Sequence, residues 1–148
     1  MNVLLASLAL LCGVVLTAQV GNNSMLSKLL NNPYIPAAVN MATGMLFTLA
    51  LLLIVHKPLP SMGQLRATPA WMWAAGGLLG TVYLTGNILL APKLGAAGLV
   101  GLVVTGQLLC AVLADHYGWL GFAQHSVTLW RAVGCGLMVG GVALIAKF

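Results

Sequence analysis

No charged side chain occurs among the first 27 residues, and apart from the pair Lys57 and Arg66 each later charge is separated from the next by an uncharged run of 15 residues or more. This pattern constrains the fold more than any other feature. A run of about 20 apolar residues suffices for a helix to cross the hydrocarbon core of a bilayer. Here 61% of the 148 residues are hydrophobic and 5% are charged, six Lys or Arg against the single acid Asp115. A soluble domain is about 25% charged, so this chain lacks the polar surface to cover a water-soluble globule. Cytosolic enzymes are thereby excluded, and so is disorder, which needs low hydrophobicity and high charge. The net charge of +5 makes no nucleic-acid binder, because its six cations are scattered and form no patch.

Read between its punctuation, the chain predicts five membrane helices over about 2–30, 35–55, 70–90, 94–114 and 129–147, a single all-α transmembrane domain. The first is long: its apolar part continues through the polar Gly21-Asn22-Asn23-Ser24 to Leu30, and Asn31-Asn32-Pro33 signals a turn. With no early cation and no cleavage pattern, this segment reads as a retained helix. Pro36 suits a first helical turn. His56, Lys57, Pro58 and Pro60 open a loop that reaches Thr68, and Ala91-Pro92-Lys93 reads as a tight connection. Trp71 and Trp73 sit where an aromatic belt belongs. Alternating strands of the kind an outer-membrane barrel needs are absent.

Loop cations set orientation. With five spans, Lys57, Arg66 and Arg131 fall on one side, and Lys28, Lys93 and Lys147 on the other, a balance of three against three. Two readings stand: an orientation settled by some weaker bias, or a chain that inserts both ways and pairs antiparallel with itself.

Small residues recur at helical spacing: Gly76 with Gly80, Gly136 with Gly140, Gly98 with Gly101 and Ala38 with Ala42. Close backbone approach holds membrane helices together, so these mark packing faces, within the chain or between two chains. Polar side chains inside apolar runs usually face a bundle interior. Gln19, Asn22 and Asn23 are spaced i, i+3 and i+4 on one face of the first helix. Asn40 and Thr43 follow on the second, Tyr83, Thr85 and Asn87 on the third, and Thr105 and Gln107 on the fourth. They either hydrogen-bond to one another as glue or line a polar cavity that has no fixed charge. Asp115 has three readings: an interfacial partner for Arg131, a solvated turn residue, or a cavity acid that carries a proton. Cys12, Cys110 and Cys135 have no metal-ligand spacing and read as small hydrophobes. No catalytic motif or cofactor signature is present, so neither enzyme chemistry, a metal nor a cofactor is expected.

Several stretches taken together resemble the YdcZ-type family of the drug/metabolite transporter superfamily. They are Gln19 through Leu26, Asn32-Pro33, Trp71 through Gly77, Pro92 through Ala97, Gly106-Gln107, Asp115 through Gly118, and the glycine-rich last helix with Arg131 and Gly134. The resemblance covers nearly the whole chain in order. It implies five-helix subunits working as antiparallel pairs, either with an identical copy or with a similar paralogous chain, in the bacterial cytoplasmic (inner) membrane. The expected assembly is a ten-helix inverted-repeat transporter of a small metabolite or drug-like molecule. Small multidrug exporters of the superfamily carry a Glu in the first helix; this chain has Gln19, Asn22 and Asn23 there instead. The expected polar lining is Gln19, Asn22, Asn23, Asn40, Asn87 and Gln107, with Asp115 as a candidate coupling residue. A structural or accessory membrane protein, or a small passive channel, is the rival expectation.

Overall fold

A computed structural model describes residues 3–56 and 58–148. The start of the first span at residue 2 and the loop cation Lys57 lie outside the described residues. Those described form helices joined by turns, with no strand. The chain divides into two compact units, residues 1–91 and 92–148.

In the first unit, α1 runs Val3–Leu30 and α2 Tyr34–Val55. The polar insert of α1 does not interrupt it, because Asn and Ser can keep helical backbone bonds while their side chains find partners elsewhere. At 28 residues α1 is about 42 Å long, against about 30 Å of hydrocarbon. Asn31 takes a left-handed φ of 48° and ends the helix, a conformation Asn tolerates better than most residues. The Asn32 side chain then accepts from the Tyr34 and Ile35 amides at 2.9 and 3.4 Å. These are two of the donors that a helix start leaves without intrahelical partners. Within this unit Ala37, Leu84 and Ile88 form a buried apolar cluster.

Two sequence expectations are corrected here. The segment up to Thr68 is not all loop, since α3 spans Met62–Ala67. A capping box starts it: Ser61 Oγ accepts from the Gln64 amide at 3.3 Å, and Gln64 Oε1 accepts from the Ser61 amide at 2.8 Å. Nor does Pro92 end a helix. The helical run α4 extends Ala70–Tyr117 and breaks at Gly95, with φ 70° and ψ 167°. That region of backbone space is essentially reserved for glycine. Each side of the break, 70–94 and 96–117, exceeds the length of about 20 residues that one crossing needs.

In the second unit, the C-terminal arm of α4 continues to Tyr117, three residues past the expected end. Gly118 (φ 66°) and Gly121 (φ 82°) then bracket a 3-10 turn at Trp119–Gly121. The returning chain folds onto the helix end: the His125 amide donates to the Asp115 carbonyl at 2.8 Å, and Gln124 Nε2 to the His116 carbonyl at 3.0 Å. Thr128 caps α5, which spans Leu129–Lys147. Many large apolar side chains are exposed, among them Leu10, Leu53, Val82 and Trp130. Four of the helical runs are long and apolar enough to cross a membrane, α4 counted once across its break.

Candidate functional site

Polar groups are costly in hydrocarbon unless paired, so the polar side chains within the spans locate the site. On α1, Gln19 and Asn23 are one helical turn apart and face α2. Gln19 Nε2 donates to Asn40 Oδ1 at 3.1 Å, and Asn23 Nδ2 donates to the same oxygen at 3.3 Å. One amide oxygen of α2 thus gathers two donors from α1. Asn23 is 3% exposed, while Gln19 and Asn40 are half-buried. Pairing consumes only part of the hydrogen-bonding capacity of these amides. The carbonyl oxygens of Gln19 and Asn23 and the NH2 group of Asn40 remain available.

Asn87 adds a fourth amide to the same unit. It is 4% exposed, and its Nδ2 has no hydrogen-bond partner among the described residues. It shares a face of α4 with Leu84 and Ile88, which cluster with Ala37 one turn ahead of Asn40. A buried amide donor without an acceptor costs roughly 1–3 kcal/mol, which singles out Asn87 as a candidate ligand contact.

The remaining expected residues lie elsewhere. Asn22 is exposed and bonds to nothing among the described residues, because Gln19 and Asn23 take the face toward α2 and leave Asn22 beside it. Gln107, in the second unit, is also exposed. Its buried neighbour is Thr105, 8% exposed, whose hydroxyl has no partner among the described residues. Thr17, Thr43, Thr48 and Thr81 all donate to the carbonyl four residues back. Thr105 does not, and nothing in its sequence neighbourhood separates it from the others.

Asp115 pairs with Arg131: Nη1 lies 3.2 Å from Oδ2, and it also approaches the His125 carbonyl at 3.5 Å. Both side chains are partly exposed. Beside them Tyr117 stacks on Trp119 at 4.8 Å between ring centroids.

The glycines divide into two groups. A Cβ on Gly80 would meet Met41 Cε at 3.7 Å, and one on Gly101 would meet Val142 Cγ2 at 3.0 Å, so these two serve packing inside their own units. A Cβ on Gly76, Gly136 or Gly140 would meet nothing within 4 Å beyond its own helix among the described residues. Cys12 and Cys110 are exposed and Cys135 is half-buried; all three are free thiols.

A family model described as "Putative inner membrane exporter, YdcZ" matches residues 4–144. Neither a curated protein nor a solved structure matches the chain. The family match covers every long helix, the amide cluster and the Asp115–Arg131 pair. The chain therefore belongs to the YdcZ family and is a multi-pass protein of the inner membrane.

Proposed function

We propose that the chain is one half of a secondary transporter that moves a small neutral, zwitterionic or amide-bearing metabolite or drug-like molecule by alternating access. Two copies, or this chain and a similar paralogue, pair antiparallel and form a ten-helix inverted repeat with the substrate near the midplane. Family membership supports membrane transport. The observation that carries the finer reading is the amide cluster. Gln19, Asn23 and Asn40 keep free donors and acceptors, and the Asn87 donor is buried and unpaired, with no fixed charge among them. Such a lining suits ligands that carry carbonyl, hydroxyl or amide groups. Balanced loop cations support the antiparallel pair, as do the open glycine faces at Gly76, Gly136 and Gly140.

Proteoliposome flux tests the reading. Asn87→Leu and Asn40→Leu should each abolish saturable, gradient-driven transport of a hydrophilic amide or zwitterion library while the protein still reconstitutes. Unchanged flux in both disposes of the lining. Asp115→Asn addresses coupling: retained gradient dependence removes Asp115 from that role. A topology reporter after Phe148 should signal on both faces if one chain makes the pair. It should signal on one face only if a paralogue does.

The bonds from Gln19 and Asn23 to Asn40 also favour a second reading, in which the amides are interhelical glue in a structural or accessory protein. Each such bond contributes about 0.6 kcal/mol on average. Glue mutants would lower stability and leave no flux to lose.

A further inference from the structure

Between the C-terminal arm of α4 and α5 runs a groove that transport by the amide cluster does not use. Its wider part, about 440 Å³, is walled by Leu108, Val112, Gly134 and Met138 and closed at one end by Asp115 and Arg131. A second, separate hollow of about 290 Å³ lies against the same two helices and shares Met138 in its wall, with Val104, Leu137, Gly141 and Ile145. From Val100 to Asp115 the helical rise is about 22 Å. One leaflet offers about 15 Å of hydrocarbon, so the two hollows together flank enough helix to hold an acyl chain through the whole leaflet.

An acyl chain gains little from apolar walls when the alternative is other lipid, which is equally apolar. Identity must therefore be decided at the charged end. That end carries one cation and one anion, both partly exposed. Arg131 uses Nη1 for Asp115 and the His125 carbonyl, which leaves Nη2 and Nε to face a phosphate. Asp115 uses Oδ2, and Oδ1 remains as an acceptor. The stacked Tyr117 and Trp119 and the exposed Trp130 next to Arg131 place this end at headgroup depth.

We propose that the groove is a binding site for a zwitterionic phospholipid with a primary ammonium headgroup, of the phosphatidylethanolamine class. Its phosphate sits on Arg131, its ammonium on Asp115 and one acyl chain along α4 and α5. A phosphatidylcholine headgroup has no N–H to donate to Asp115. A phosphatidylglycerol headgroup brings an anion with no cation to offset Asp115.

The test uses the full-length protein, delipidated in mild detergent, with each lipid added back and adducts counted by native mass spectrometry. Phosphatidylethanolamine should be retained roughly tenfold more tightly than the other two, the equivalent of one charge-assisted hydrogen bond. Asp115→Asn should level the three lipids, and Arg131→Gln, which removes the partner of the phosphate that all three share, should weaken retention of each. Gly134→Leu places a side chain in the groove, where nothing lies within 4 Å of the Cβ position, and leaves the ion pair intact. It should keep the helix content and lose the lipid, so the proposal stays testable if either charge variant fails to fold. Equal retention of the three lipids overturns the proposal, and so does phosphatidylethanolamine retained in Gly134→Leu. Maleimide labelling of Cys135, in the groove wall, checks for a different occupant. Labelling should fall when phosphatidylethanolamine is added. Labelling that ignores lipid and instead rises on dilution, as a dimer dissociates, assigns the groove to a second copy and refutes the lipid.

Discussion

Substituting Gly101 with alanine tests how the two helices of the C-terminal unit are held together. A Cβ at that position would lie 3.0 Å from Val142 Cγ2 and 3.4 Å from Cγ1. Val142 is buried, at 7% exposure, and a helical valine holds essentially one χ1 rotamer, so its methyls cannot turn aside. Overpacking of this kind costs about 1–3 kcal/mol. Against that, alanine is the better helix former by about 1 kcal/mol. The net expectation for Gly101→Ala is a loss of about 1 kcal/mol. Gly136→Ala is the matched control for a single subunit: a Cβ there would meet nothing within 4 Å among the described residues beyond its own helix, so at dilutions in mixed micelles that keep the subunit alone only the propensity gain acts and it should be unchanged or slightly stabilised. Unfolding in mixed micelles, followed by tryptophan fluorescence and circular dichroism, measures both. A double-mutant cycle with Val142→Ala should return a coupling of roughly 1–2 kcal/mol, because the smaller partner relieves the clash. If Gly101→Ala is as stable as Gly136→Ala, or the cycle shows no coupling, the helices do not meet at this contact and the packing argument fails.

Three further perturbations have definite expected outcomes. Asn40→Leu removes the shared acceptor of Gln19 and Asn23 and should lower thermal stability by about 1 kcal/mol, at about 0.6 per bond, whereas Asn22→Leu should leave the melting curve within about 0.5 kcal/mol of the parent; equal effects would mean that the amides are not paired. Gly95→Ala forces a Cβ into φ 70° and ψ 167° and should cost about 1–3 kcal/mol, read as a lower yield of monodisperse protein in size exclusion, and full tolerance would show that the break between the two arms of α4 does not need glycine. Ser61→Ala removes the cap of α3 and should destabilise that turn by about 1 kcal/mol, visible as faster hydrogen exchange at Gln64 and Leu65 with no change in global melting.

Membrane class, helix content and the approximate spans were legible in the residues because transfer into hydrocarbon is a sum over a local window. Twenty apolar residues in a row are enough, whatever they later touch. Turn chemistry is local too, which is why Asn31-Asn32-Pro33 marks the end of α1. The two local errors, at residues 58–68 and 91–93, have local causes as well. The Ser61–Gln64 capping box lies within residues 58–68, and Gly95, not Pro92, holds the break in α4.

Which polar side chains would meet was not legible. Gln19, Asn22 and Asn23 share a helical face within the accuracy of spacing, yet only two of them reach Asn40, because the rotation of α1 against α2 decides it. Likewise the positions of the single acid, Asp115, and of Arg131 did not show that the two meet; the fold of residues 118–128 brings them within 3.2 Å. Of the packing glycines, spacing alone could not separate Gly101, pressed on Val142, from Gly136, which faces open space. Hydropathy and turn residues act over a few neighbours and so belong to the sequence. Pairing, burial and grooves need atoms brought together from distant positions, and only the tertiary structure decides them.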